Sequence, residues 1–273
     1  MRILTLLACL LAVFNLVWAD GPSTDYLGRI EAGDKAAAEK NWQEARDAYQ
    51  TAIIIEPDNP QNILLMSNIG LIDHMMGNDS IALITLNEAA KKAPKSVTIL
   101  MNRATVNEAL GHTQDAFNDY GKVMMLDSTY VQARYNHGLI ALRNRLFNDA
   151  KEDFDYLQLH NPNTYEANMG QAALHVALGE YDKAVPFYSS ILEDTKEAEI
   201  YAARGYCNLM AGNLQEASED IGTAIEMDPT DGELYLYRAA LNKLRYQPID
   251  AKKDALRAIE LGIDPARAAE FVK

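Results

Sequence analysis

Cysteine is nearly absent from this chain: there are 2, Cys9 and Cys207, among 273 residues. Cys9 falls in a leader-like segment, so Cys207 stands alone in the processed chain and an internal disulfide is excluded. The place of Cys207 in a helical pattern predicts a packed thiol rather than a reactive one. Long runs of Val, Ile and Thr are missing as well. These residues are scattered while Ala and Leu are plentiful, which favours helices over strands. An excess of positive charge is also lacking. With 25 Lys and Arg against 39 Asp and Glu, the formal net charge is −14. Phosphate backbones would repel such a chain, so no nucleic acid is expected as a partner.

Catalytic signatures are missing too. There is no Gly-rich phosphate loop, no Gly-x-Ser-x-Gly elbow and no pair of histidines at zinc-binding spacing. The 5 histidines, His74, His112, His137, His160 and His175, are spread along the chain. His137 and His175 are expected on the buried side of helices, His74 on an open face, and His112 and His160 at turns. Paired acids such as Glu152-Asp153 and Glu219-Asp220 read as solvated helix faces. With no nucleophile–base pair and no metal-ligand set, the reading is a non-enzyme without cofactor or metal.

What is present begins with a leader. Arg2 precedes an apolar run over 3–14, and Val17-Trp18-Ala19 offers a small-residue processing site before Asp20-Gly21-Pro22. Residues 1–19 read as a secretory signal peptide and 20–25 as a short linker. Two alternatives stand beside it. A retained membrane anchor would need about 20 apolar residues, and Asn15 interrupts this run. A lipoprotein would use Leu6-Leu7-Ala8-Cys9, with a short lead-in. The signal reading implies an exported, periplasmic protein with no stable membrane insertion after cleavage.

The rest is periodic. Gly111, Ala116 and Tyr120 are matched by Arg145, Ala150 and Phe154, each 34 residues later. A fixed period of this length means one small unit stacked repeatedly. The recurring residues are a Gly or Ala early in a first helix, a Gly at a turn, then Ala, an aromatic residue, Ala and Pro. Seven units follow at 26–59, 63–96, 97–130, 131–164, 165–197, 198–231 and 232–265, with a short cap at 266–273. Pro60-Gln61-Asn62 are extra, and predict a splayed junction. Ser128 stands in place of one closing Pro. Pro186 falls inside a second helix. In the last unit Tyr246 replaces the turn Gly and is followed by Pro248, so its second helix departs most from the pattern.

This pattern resembles the tetratricopeptide repeat (TPR), a helix–turn–helix unit. The resemblance implies an all-α fold, an α-α superhelix or solenoid of about seven repeats. In it the small residues let paired helices approach to about 8–10 Å, and each repeat is stabilised by its neighbours. It also implies that first helices line an inner face, at the second, fifth, sixth, ninth, twelfth and thirteenth residues of each unit. That lining is unusually apolar here, and contiguous apolar concavities mark binding sites. The candidate peptide-binding residues are Asn68, Leu71, Met75, Met101, Asn102, Thr105, Tyr135, Asn136, Leu139, Met169 and Tyr206. Asn68, Asn102 and Asn136 recur every 34 residues, and as a ladder could hold a peptide backbone, since each amide both donates and accepts. The carboxylate clamp of heat-shock co-chaperones is excluded. Its Lys or Arg is replaced at the fifth places by Ile30, Ser67, Met101, Tyr135, Met169, Ala202 and Leu236.

The functional expectation is a scaffold that binds a protein or peptide segment in the cell envelope. Its alternative is a structural subunit that associates through its ends, Leu27/Ile30 and Phe271/Val272.

Overall fold

The computed structural model describes residues 21–272; the leader expectations for 1–19, with Cys9, lie outside them. The described residues are all-helical in regular structure and divide along the chain into two compact units, one ending at Ala133 and one beginning at Arg134.

The first unit holds α1 (Thr24–Ala38), α2 (Trp42–Ile55), α3 (Asn62–Met75), α4 (Asp79–Lys92), α5 (Val97–Ala109) and α6 (Thr113–Leu126). α1 packs on α2, α3 on α4 and α5 on α6, and each pair packs on the next. α7 (Val131–Arg143) starts three residues before the division and has the rest of its length in the second unit. It is followed by α8 (Phe147–His160), α9 (Tyr165–Ala177), α10 (Tyr181–Asp194), α11 (Ala198–Ala211), α12 (Leu214–Met227), α13 (Gly232–Leu244), α14 (Pro248–Glu260) and α15 (Pro265–Val272). Within each unit the helices pack in sequence order, the arrangement of a TPR solenoid.

The recurring residues explain why. Ala45, Ala82 and Ala116 in the first unit and Ala150, Ala184 and Ala217 in the second are fully buried, as are Tyr49, Tyr120 and Phe154. A methyl at each crossing keeps two axes close, and the aromatic ring fills the space beside it. Phe154 shows how tight this is. A Cβ added at Gly138 would lie 2.6 Å from its Cε1, and one added at Gly170 of the next pair would meet the same ring at Cδ1.

Between first and second helix the chain must enter the left-handed region. Gly77, Gly111, Gly179 and Gly212 do so with φ of 74–85°. Lys40, Arg145 and Tyr246 adopt φ of 59–62° at the same place of their units. A side chain there costs about 1–2 kcal/mol, so packing of the pair enforces the turn even without glycine. At the far end, α2, α4, α8 and α12 each stop two residues before Pro57, Pro94, Pro162 and Pro229. α6 stops at the same place without a proline. There Asp127 turns the chain by accepting from the Thr129 backbone N–H at 2.9 Å.

Two local expectations need correction. The 60–62 insertion does not splay its junction. Asn62 is buried at the start of α3, and its amide donates to the Glu56 and Pro57 carbonyls at 2.6 and 3.2 Å while its oxygen accepts from the Tyr26 hydroxyl at 3.1 Å. Asp153 and Asp220 are not solvated; they are 3% and 5% exposed. Asp220 takes a two-pronged clasp from Arg204, Nε at 2.9 Å and Nη2 at 2.7 Å. Arg103 holds Asp119 and Arg238 holds Asp254 the same way, in each case 16 residues apart. Asp153 is held instead by Arg134 Nη1 at 3.2 Å and His137 Nδ1 at 2.6 Å. Each clasp ties a first helix to the second helix of its own pair. Pro186 sits inside α10 without ending it, and Pro248 is the first residue of α14, where its missing N–H costs nothing. Phe271 and Val272 pack back against the Leu236, Ala239 and Ala258 cluster.

Candidate binding surface

The first helices of the second unit carry an open, mostly apolar face. On α11, Ala202, Tyr206 and Met210 follow at four-residue spacing, which puts them on one side of the helix. Ala202 and Tyr206 are half-buried and Met210 is 50% exposed. On α9, Met169 and Val176 are half-buried and rest on the cluster of Ala172, Tyr188 and Cys207. On α13, Tyr237 and Ala240 rest on the cluster of Leu209, Ile221 and Leu234.

Three tyrosines organise this face. The Tyr206 ring meets Tyr181 edge-on at 5.8 Å and Tyr237 at 5.1 Å with a 40° tilt. Such pairs favour offset and edge-to-face contacts, so the row is a stable apolar wall with hydroxyl tips. Burial holds the Tyr206 and Tyr237 phenols above their ordinary range, helped by Tyr181 at the former and by Glu233 at the latter. They remain neutral donors at physiological pH. The alanines beside them leave room for a ligand's side chains.

The residues singled out from sequence fall into two groups. In the first unit Leu71, Met75 and Thr105 are half-buried, and the Thr105 hydroxyl donates to its own helix at Met101 O, 3.1 Å away. Met101 and Asn102 were expected on the open face, and here the structure corrects the reading. They are 2% and 4% exposed. The Asn102 amide donates to Ser67 Oγ at 3.0 Å, so it acts as an internal tie between α3 and α5. The Asn68 Nδ2 is buried without a hydrogen-bond partner. In the second unit Tyr135, Asn136, Leu139, Met169 and Tyr206 are all half-buried. The Tyr135 ring lies 6.3 Å from Phe154, tilted by 52°.

The structure brings Tyr206 together with two residues missed in the sequence. Tyr237 occupies the sixth place of the last unit, where the same place rule would have found it. Tyr181 opens a second helix, so no first-helix rule reaches it. The histidines are each engaged by an acid or exposed: His74 Nδ1 lies 2.6 Å from Asp79, His175 Nδ1 lies 2.8 Å from Glu180, and His112 and His160 are exposed. Cys207, beside Tyr206 in sequence, is buried, and burial pushes its thiol up to about 11. Among the described residues no group of three or more His, Cys, Asp or Glu side chains is placed to hold a metal ion. No described helix is long and apolar enough to cross a membrane.

Comparison with known proteins agrees with this geometry. Residues 135–199 match the model of the tetratricopeptide repeat family. Tetratricopeptide repeat protein 6 of Homo sapiens is 29% identical over 150 residues, 55% of this chain and 28% of that protein. The chain spans about a third of the length of the curated relatives it matches first, 28% and 34%. A solved tetratricopeptide repeat protein from Parabacteroides merdae is similar with a TM-score of 0.70 at 27% identity, over 92% of this chain and 98% of its own. YrrB, described as a TPR protein with an unusual peptide-binding site, is similar with a TM-score of 0.55 at 18% identity, over 68% of this chain and 96% of its own. Taken with the helix pairs, the buried Ala and aromatic positions and the left-handed turns, these likenesses show a fold similar to that of solved tetratricopeptide-repeat proteins, with a match to the repeat family itself over residues 135–199.

Proposed function

We propose that this protein is a non-catalytic scaffold that binds a peptide segment of a partner protein on the first-helix face of its second unit. The observation that carries the reading is the half-open tyrosine row Tyr181–Tyr206–Tyr237 beside Ala202 and Met210. Rigid aromatic walls give large contact area at little entropic cost, and Met169 and Met210 adapt to varied apolar side chains. The peptide-binding site of YrrB on the same fold supports this reading. The partner's anchor is an apolar or aromatic side chain seated beside Tyr206, and the hydroxyl tips supply hydrogen bonds to its backbone. We place the protein in the cell envelope, exported by its leader, a reading that rests on the 3–14 apolar run and the Ala19 processing site.

Site-specific photo-crosslinking tests the surface. A photoreactive residue at Ala202 is expected to capture one defined partner segment, and one at Glu219, exposed on α12, is not. Tyr206→Ala is expected to reduce capture from position 202 by about tenfold. Equal capture from both positions, or capture indifferent to Tyr206→Ala, sinks the reading. Fractionation with N-terminal sequencing tests export: a cytoplasmic protein that keeps Met1–Ala19 refutes it.

A further inference from the structure

The second helix of the last pair, α14, has two working sides. Ala251, Asp254, Ala255 and Ala258 are buried against its neighbours. The opposite stripe, Ile249, Lys252, Lys253, Leu256 and Arg257, recurs at three- and four-residue spacing and faces solvent. Ile249 is 83% exposed and Leu256 44%. With Tyr235 and Arg238 of α13 these side chains line an open pocket of about 610 Å³.

Its charge runs against that of the chain. Four cations and two carboxylates line it, in a protein of net charge −14. Both carboxylates are already engaged. Asp254 is gripped at both oxygens by Arg238, and Glu260 accepts from Arg257 Nη1 at 3.0 Å. Lys252 and Lys253 form no ion pair among the described residues. The Tyr235 ring lies 5.2 Å from the Arg238 guanidinium and 5.9 Å from that of Arg257, which fixes an aromatic side between two cations. Isolated exposed apolar residues are ordinary. Here two of them share a concavity with an aromatic ring and two unpaired ammonium groups, and that combination needs a ligand of matching chemistry.

We propose that this pocket docks an acidic segment of a partner protein with a bulky apolar side chain among its carboxylates. The apolar side chain rests against Ile249, Leu256 and Tyr235, and the flanking carboxylates pair with Lys252 and Lys253. Charge complementarity favours this occupant. A second copy of the chain would bring another net −14 against the first. The pocket is lined from α14 and from Tyr235 and Arg238 of α13 and shares no residue with the row Tyr181, Tyr206 and Tyr237, so variants can test the two surfaces separately.

The probe is a short fluorescein-labelled peptide with one phenylalanine between glutamates, titrated by anisotropy against the whole protein. Two control peptides replace the phenylalanine by serine, or the glutamates by lysines. The acidic phenylalanine peptide is expected to bind, to weaken in about 0.5 M salt, and to outbind both controls. Lys252→Glu with Lys253→Glu is expected to weaken it about tenfold or more, and Ile249→Asp comparably, while Tyr206→Ala leaves it unchanged. Lys252→Gln with Lys253→Gln, which introduces no repulsion, is expected to lie between. Helicity serves as the control, since all three side chains are exposed. The proposal is overturned by absence of binding, by equal binding of the lysine peptide, or by full affinity of the charge-reversed protein. Self-association abolished by Ile249→Asp overturns it too, because the occupant is then a second copy.

Discussion

The same repeat place plays opposite parts in the two units. At the fifth and sixth places of the third repeat, Met101 and Asn102 are interior, one packed and the other tied to Ser67. At the fifth place of the sixth repeat Ala202 is half-open, and four residues on Tyr206 stands between two other tyrosines. A period in sequence therefore fixes where a side chain points relative to its own helix pair. It does not fix whether anything else covers it. The lesson is that a lining rule finds a face, and burial decides whether that face is a site.

The strongest way to break this contrast is to charge both faces. Met101→Asp places a carboxylate where 2% of the residue is exposed. An unpaired buried charge costs several kcal/mol, so a loss of about 3 kcal/mol or more is expected, read as a lower urea midpoint. Met169→Asp, at the equivalent fifth place in the second unit, is half-open and should cost about 1 kcal/mol or less while weakening partner capture. Equal destabilisation by the two would erase the distinction between the units.

Next in size is the clasp between α11 and α12. Arg204→Met leaves Asp220 buried with only the distant Asn208 amide, at 3.4 Å. Breaking such a pair from one side costs about 3 kcal/mol, and less here because Arg204 is partly exposed. The double variant Arg204→Met, Asp220→Leu should recover much of the loss, because it removes the stranded charge as well. Failure of the second change to help would mean that the clasp does more than satisfy its own partners.

The smaller third test concerns the supposed asparagine ladder. Asn102→Ala removes the bond to Ser67 Oγ and should cost about 1 kcal/mol, with peptide capture unchanged. A fall in capture with stability intact would restore Asn102 as a binding residue.

Much of the architecture was legible because few residues carry it. A buried Ala, a ring eight residues before a proline and a left-handed turn each have one physical job, and each recurs. The clasps were equally periodic, with Arg103/Asp119, Arg204/Asp220 and Arg238/Asp254 at one spacing. They were not legible because an Asp within a helix reads as solvated unless its cation 16 residues earlier is considered with it. The Asn62 ties were hidden for another reason: they join an insertion to Tyr26, and no repeat register relates the two. Exposure of the tyrosine row was not legible at all, since it depends on what packs beside α11 rather than on α11 itself.

The finest test separates two adjacent residues of that helix. Tyr206 is half-open, whereas Cys207 is 1% exposed with its thiol raised by burial to about 11 from an ordinary 9.0. In a Cys9→Ser background, maleimide at neutral pH should label Cys207 only after unfolding, because the thiolate is the reactive form and the folded site offers neither thiolate nor access. The same shift predicts a pH dependence. Between about 9 and 11 the unfolded chain releases the thiol proton while the native chain keeps it, so stability falls as pH rises through that window. Tyrosines titrate in the same range and would mask the effect in the wild type alone. They are common to Cys207→Ala, so the stability difference between the two proteins isolates the thiol. That difference should stay flat below about pH 9 and shift against the wild type above it. Rapid labelling of the folded protein, or a difference flat to pH 11, would show that Cys207 is as open as Tyr206.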